Sequence, residues 1–252
     1  MSSPGAMAAN AAAQQGSNIK FLANGAPLVA NMADVAAYNT TQWNNWEFIT
    51  QSLYDSAVYP AAGTAQLNFF QNPIGQGTGF GGGTKTLSDT NMNLGGQLAS
   101  GNMFVIGTIE IEFQPTTPTV TAQMPAVFGA QAVAAIINDA YVFWRAGNFT
   151  LQILQKVYSQ EAPLMRFPSQ SDFSIQAAFA DVSTAGASFQ SRAAFASAYG
   201  PVFSLAPNNL LLPETTNFKA TLSWPEGVQA LPSTNPARVF VRFGGMMARQ
   251  AQ

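Results

Sequence analysis

The stretch 74–87, IGQGTGFGGGTKTL, holds six glycines and a Lys-Thr pair. Two phosphate-binding patterns come close. Gly77, Gly79 and Gly82 fit G-x-G-x-x-G, and the run from Gly79 to Thr86 departs from G-x-x-x-x-G-K-[ST] only at Thr84, where the second glycine belongs. Such loops aim backbone N–H groups at phosphate from the start of a helix. Glu110 and Glu112, two apart on one strand face, have the residue types for sugar hydrolysis. Asp89, Asn91 and Asn93 have the spacing of a partial calcium loop.

The flanks weaken each pattern. After Gly82 comes GTKTLSDTNMNLGGQL, which has no apolar helical face, and the ribose-binding acid expected about 20 residues on is replaced by Asn102 and Met103. The expected state is a glycine-rich loop between two strands, ordering against a neighbour. A catalytic acid pair faces across a cleft from separate elements, so Glu110 and Glu112 are expected on a solvated strand face. Lys219 is expected opposite one of them as a cross-strand ion pair. The rest of the calcium pattern is missing after Asp89. The sequons at Asn39 and Asn148 carry little weight without a secretion signal.

Composition narrows the chemistry further. The chain has 252 residues, no histidine and no cysteine. This removes Cys/His metal sites, disulfides, and Ser-His-Asp or Cys-His catalysis. Charged residues are 9% of the chain, against about 25% in ordinary soluble domains. Aromatics at 12%, with 19 phenylalanines, argue for a folded core rather than disorder. A folded surface built from amides and hydroxyls has little charge to oppose self-association. An extracellular β-protein with a neutral polar surface has the same composition. The net charge of −2, with no two basic residues adjacent, gives no footprint for nucleic acid.

No segment is apolar over the roughly 18 residues of a membrane span. The N-terminus, MSSPGAMAANAAAQQG, has neither the basic start nor the apolar stretch of a secretory signal.

Residues 1–18 read as a low-complexity arm, either ordering on a neighbouring subunit or simply frayed. Residues 19–29 suit a short extended pair turning at Asn24-Gly25. Over 41–57, Trp43, Trp46, Ile49 and Leu53 recur at helical spacing, with Thr41 placed to cap. From residue 66 on, eight strands are predicted: 66–71, 104–114, 140–145, 149–157, 162–167, 202–212, 217–224 and 237–247. The run 140–158 reads as a hairpin turning at 146–148. Helices are predicted at 129–139 and 187–199, in insertions between strands. The division is an N-terminal arm and helix over 1–60 and one domain over 61–252.

Strands without βα alternation predict an all-β fold. The expected architecture is a jelly roll, an eight-stranded antiparallel sandwich, with two compact jelly rolls in one chain as the alternative. The Cys-free, low-charge chain, its arm, its glycine-rich loops and the closing stretches LLLPETTNFKATLSWP and ARVFVRFGGMMARQ resemble the jelly-roll major capsid proteins of tailless icosahedral bacteriophages. That resemblance implies self-assembly into capsomers, trimeric or pentamer- and hexamer-like, with other virion proteins and in some relatives an internal membrane. It also implies a virion location after synthesis in the host cytoplasm, with no cofactor and no catalytic or metal site. The absence of a basic arm departs from coats that bind their genome directly, so no sequence-specific nucleic-acid contact is expected. A lectin-like or fibre module and a carboxylate-using glycosidase are the alternatives.

Overall fold

The computed structural model describes residues 20–21, 27–29, 46–115, 130–169, 172–180, 190–198 and 202–250. It is mostly antiparallel β-sheet. The short strands β1 (Lys20–Phe21) and β2 (Pro27–Val29) pair antiparallel, and the turn expected at residues 24–25 lies outside the described residues.

A five-stranded sheet is built from β3 (Trp46–Tyr59), β5 (Asn102–Pro115), β13 (Ala237–Gln250) and the short β10 (Phe203–Ser204) and β11 (Leu210–Leu212). β13 lies between β3 and β5, and both β10 and β11 pair with the far edge of β5. A second, four-stranded sheet runs in the order β4 (Gln66–Phe69), β12 (Phe218–Ser223), β6 (Asn148–Ile153), β7 (Lys156–Glu161). The remaining pair, β8 (Asp172–Ala180) with β9 (Gln190–Ala198), forms its own two-stranded sheet.

Period-two patterning explains how the two larger sheets bury one face each. In β12, Phe218, Ala220 and Leu222 are buried while Lys219, Thr221 and Ser223 are half-buried. In β5, Ile109, Ile111 and Phe113 point into the same core. Rings join the layers: Phe70, just after β4, stacks on Phe243 of β13 at 4.8 Å, and Tyr59 of β3 meets Trp224 edge-on at 4.9 Å. Offset and edge-to-face ring pairs of this kind add to burial.

Several local expectations give way to tertiary pairing. Residues 46–57 are strand, not helix. All of β3 pairs with β13, from Trp46↔Gln250 to Tyr59↔Ala237. The stretch is rich in Trp, Ile, Thr, Tyr and Val, poor helix formers that fit a pleated sheet. Trp43 and Thr41 lie outside the described residues. The first strand of the five-stranded sheet thus precedes residue 60.

Residues 140–145 are helix, not strand. Helix α1 (Ala130–Ala146) continues through them, with Asp139 and Phe143 buried one turn apart and Asn138, Tyr141 and Arg145 exposed. Gly147 ends it in tight quarters, since a Cβ there would sit 2.4 Å from Leu164 Cδ1. The hairpin turn falls instead at Leu154-Gln155, between β6 and β7. Residues 190–198, within the predicted helix 187–199, are strand β9. Its Ala-rich sequence favours helix, but β8 pairs with its whole length. The predicted strand 162–167 holds only a 3₁₀ turn, Leu164–Arg166. Ala206-Pro207 interrupts 202–212 between β10 and β11, because proline has no N–H for the ladder.

Candidate functional site

The glycine stretch folds back on itself. Gly75 N–H donates to Lys85 O, Lys85 N–H to Gln76 O, Gly79 N–H to Gly83 O and Gly82 N–H to Gly79 O. These four amides are therefore committed within the loop. No helix follows the Lys-Thr pair.

Lys85 turns inward. Its Nζ lies 2.6 Å from Asp55 Oδ1, and the two side chains are 5% and 0% exposed. Asp55 comes from the core-facing row of β3, alongside Leu53 and Tyr59. Its other oxygen, Oδ2, accepts the Phe70 N–H at 2.6 Å, and Thr90 also hydrogen-bonds the carboxylate. Burial pushes the Asp55 carboxyl above its usual range, and Lys85, Phe70 and Thr90 only partly oppose this.

A second carboxylate fills the place of an anion in the loop. Asp89 accepts the Thr86 N–H at 3.0 Å, the Thr86 hydroxyl at 3.1 Å, the Phe80 N–H at 3.4 Å and the Ser56 hydroxyl at 3.3 Å. Arg238 of β13 reaches it at 2.8 Å. Burial alone would raise this carboxyl, but the Thr86 and Phe80 donors and Arg238 outweigh it and hold it below its usual range. The loop does build an anion cradle, and the occupant is its own Asp89. Gly79 is glycine for that reason: a Cβ there would stand 2.8 Å from Asp89 Oδ2.

The same segment covers the outer edge of β3. Asn91 Oδ1 accepts the Tyr54 N–H at 3.0 Å, and Asn91 Nδ2 donates to Ser52 O at 2.7 Å. Covering an open edge protects it from pairing with stray strands. These bonds also occupy Asn91, and donors surround Asp89, so the partial calcium pattern at 89–93 is used for loop anchoring. Among the described residues no group of three His, Cys, Asp or Glu side chains could hold a metal ion.

Glu110 and Glu112 lie on the face of β5 away from the core, but both are buried, not solvated. Arg242 sits opposite Glu110 and approaches Glu112 at 3.7 Å, while Gln114 donates to Glu112 at 2.7 Å. Lys219 is elsewhere. It lies on β12 in the other sheet, opposite Gln152, because β5 has β13, β10 and β11 as its neighbours. Asn148 opens β6, where its side-chain oxygen accepts from Ser223.

An open groove of about 1090 Å³ crosses the outer face of the five-stranded sheet. Tyr54, Thr108, Glu110, Phe240, Arg242 and Asn209 are among its lining. Asn209 Oδ1 is buried there without a hydrogen-bond partner.

Sequence reasoning missed Asp55 and Arg238 as loop anchors. The signal for Asp55 was an acid among the apolar positions of an alternating strand, legible only once 46–59 is read with period two. No family model, curated protein or solved structure matches the chain.

Proposed function

We propose that this chain is a structural coat protein: one jelly roll that associates with copies of itself into capsomers and a closed shell. The strand pairing carries the proposal. Folding the chain back at the β6–β7 turn places β6 with β7, β5 with β10 and β11, β4 with β12, and β3 with β13. Rolling that long hairpin then brings β13 beside β5 and β12 beside β6. That pairing supports a reading of two interleaved Greek keys in facing sheets. Among the described residues one set of strands accounts for both large sheets, which favours one jelly roll over two.

The surface suits association. The 9% charged composition leaves little long-range repulsion between crowded copies. Leu87, Tyr141, Leu154, Met165 and Val228 are each more than half exposed. Burial of such side chains in many modest contacts per subunit, closed by symmetry, stabilises a shell. The partners are further copies and other virion proteins, in a virion assembled from subunits made in the host cytoplasm.

The groove supports a second reading, a lectin-like or fibre module. Tyr54 and Phe240 stand beside hydroxyls and the unpartnered Asn209 oxygen. Light scattering and negative-stain microscopy of the purified protein separate the two. Trimers, pentamers or closed shells are expected. A monodisperse monomer at high concentration that gives a glycan-array signal would replace the coat reading with the lectin one.

A further inference from the structure

We propose that Lys85 and Asp55 condense to an amide, so that the mature protein carries a covalent cross-link between strand β3 and the glycine loop. Lys85 Nζ and Asp55 Oδ1 are 2.6 Å apart in a site closed to solvent. Both backbones are anchored. Asp55 lies within β3, opposite Val241 on one side and bridged to Thr90 on the other. Lys85 is held by main-chain bonds to Gly75 and Gln76. The neighbouring charges are already matched, since Arg238 faces Asp89, so Lys85 has no nearer carboxylate to serve among the described residues.

Three features favour the bond. Two buried charges are costly to desolvate, and moving one proton from the ammonium to the carboxylate leaves the neutral amine and neutral acid that condense. The raised Asp55 carboxyl points the same way, through burial first. Holding the groups together supplies an effective concentration on the order of 10⁵–10⁸ M, which offsets the cost of forming an amide from free acid and amine. The Phe70 N–H, 2.6 Å from Oδ2, stands where negative charge develops on the attacked carboxyl.

The step balances without a co-reactant. The Nζ lone pair attacks Asp55 Cγ, and Oδ2 takes up negative charge facing the Phe70 N–H. Oδ1, carrying the transferred proton, accepts one more from Nζ and leaves as water. One C–N bond forms, one C–O bond breaks, and nothing is oxidised or reduced. The product keeps an N–H donor and an oxygen for Phe70 and removes both buried charges.

The test is mass spectrometry of the full chain under denaturing conditions, followed by peptide mapping. The expected results are an intact mass one water below that of the sequence and a branched peptide joining Asp55 to Lys85. Lys85→Met should show its own full sequence mass. A wild-type chain at full mass overturns the proposal. So does a water deficit that persists in Lys85→Met, which would place the dehydration elsewhere. The branched peptide is read from the wild type alone, so poor folding of the variant does not blur the outcome.

Discussion

Lys85→Met tests whether the buried pair anchors the glycine loop. Methionine keeps the length of the side chain and removes its charge, so Asp55 keeps only the Phe70 and Thr90 donors in a site where it is 0% exposed. Removing one partner of a buried ion pair costs about 3–5 kcal/mol. In a chain of this size each kcal/mol moves the midpoint of unfolding by about 2–4 °C, so Tm should fall by roughly 6–20 °C at pH 7. The pair and its amide product are lost alike in this variant, so the figure is a floor if the amide has formed.

The loss should also depend on pH. Burial raises the Asp55 carboxyl, and removing Lys85 takes away the largest opposing influence. The folded variant then binds a proton more tightly than the unfolded chain. Its stability rises as pH falls through the raised folded value and levels off below the unfolded value of about 3.9. The double variant Asp55→Leu/Lys85→Met leaves no buried charge at this site and should recover most of the loss. The assays are thermal unfolding by circular dichroism across pH, with limited proteolysis between Gly79 and Gly83. A single variant within about 1 kcal/mol of wild type, or one whose deficit ignores pH, would refute the assignment of Lys85 and Asp55 as the anchor.

Asp89→Asn should cost about 1–3 kcal/mol at neutral pH by weakening the Thr86, Phe80 and Arg238 bonds. The Asp89 carboxyl is held below its usual range, so its contribution is complete above about pH 5 and is lost as pH falls through the lowered folded value. Urea denaturation should therefore show variant and wild type converging below about pH 4. Gly245→Ala should leave little soluble protein, since its Cβ would stand 1.9 Å from Val105 O at the centre of the sheet. Gly81→Ala has nothing within 4 Å and should stay within about 0.5 kcal/mol of wild type by the same denaturation assay. Deleting residues 1–18 should leave thermal unfolding unchanged and impair particle formation under the microscope; normal shells from the truncated chain would show that the arm is dispensable.

The amino-acid sequence by itself determined the fold class and the excluded chemistry. Alternation in β5, β12 and β13 is a local property of the chain, because side chains two apart share a face whatever the strand pairs with. The lack of histidine and cysteine likewise needs no structure to remove their chemistry. Only the tertiary structure decided β3, α1 and β9. Their residues satisfy more than one local pattern, and the partner strand or the core face settles which is adopted. The glycine loop shows the same division. Its glycine spacing came close to a phosphate loop while its flanks argued for a plain connection, and the fold places its own Asp89 in the anion's position while Lys85 meets Asp55. Which charge meets which depends on segments 30 residues apart closing on one another, and local spacing carries no record of that closure.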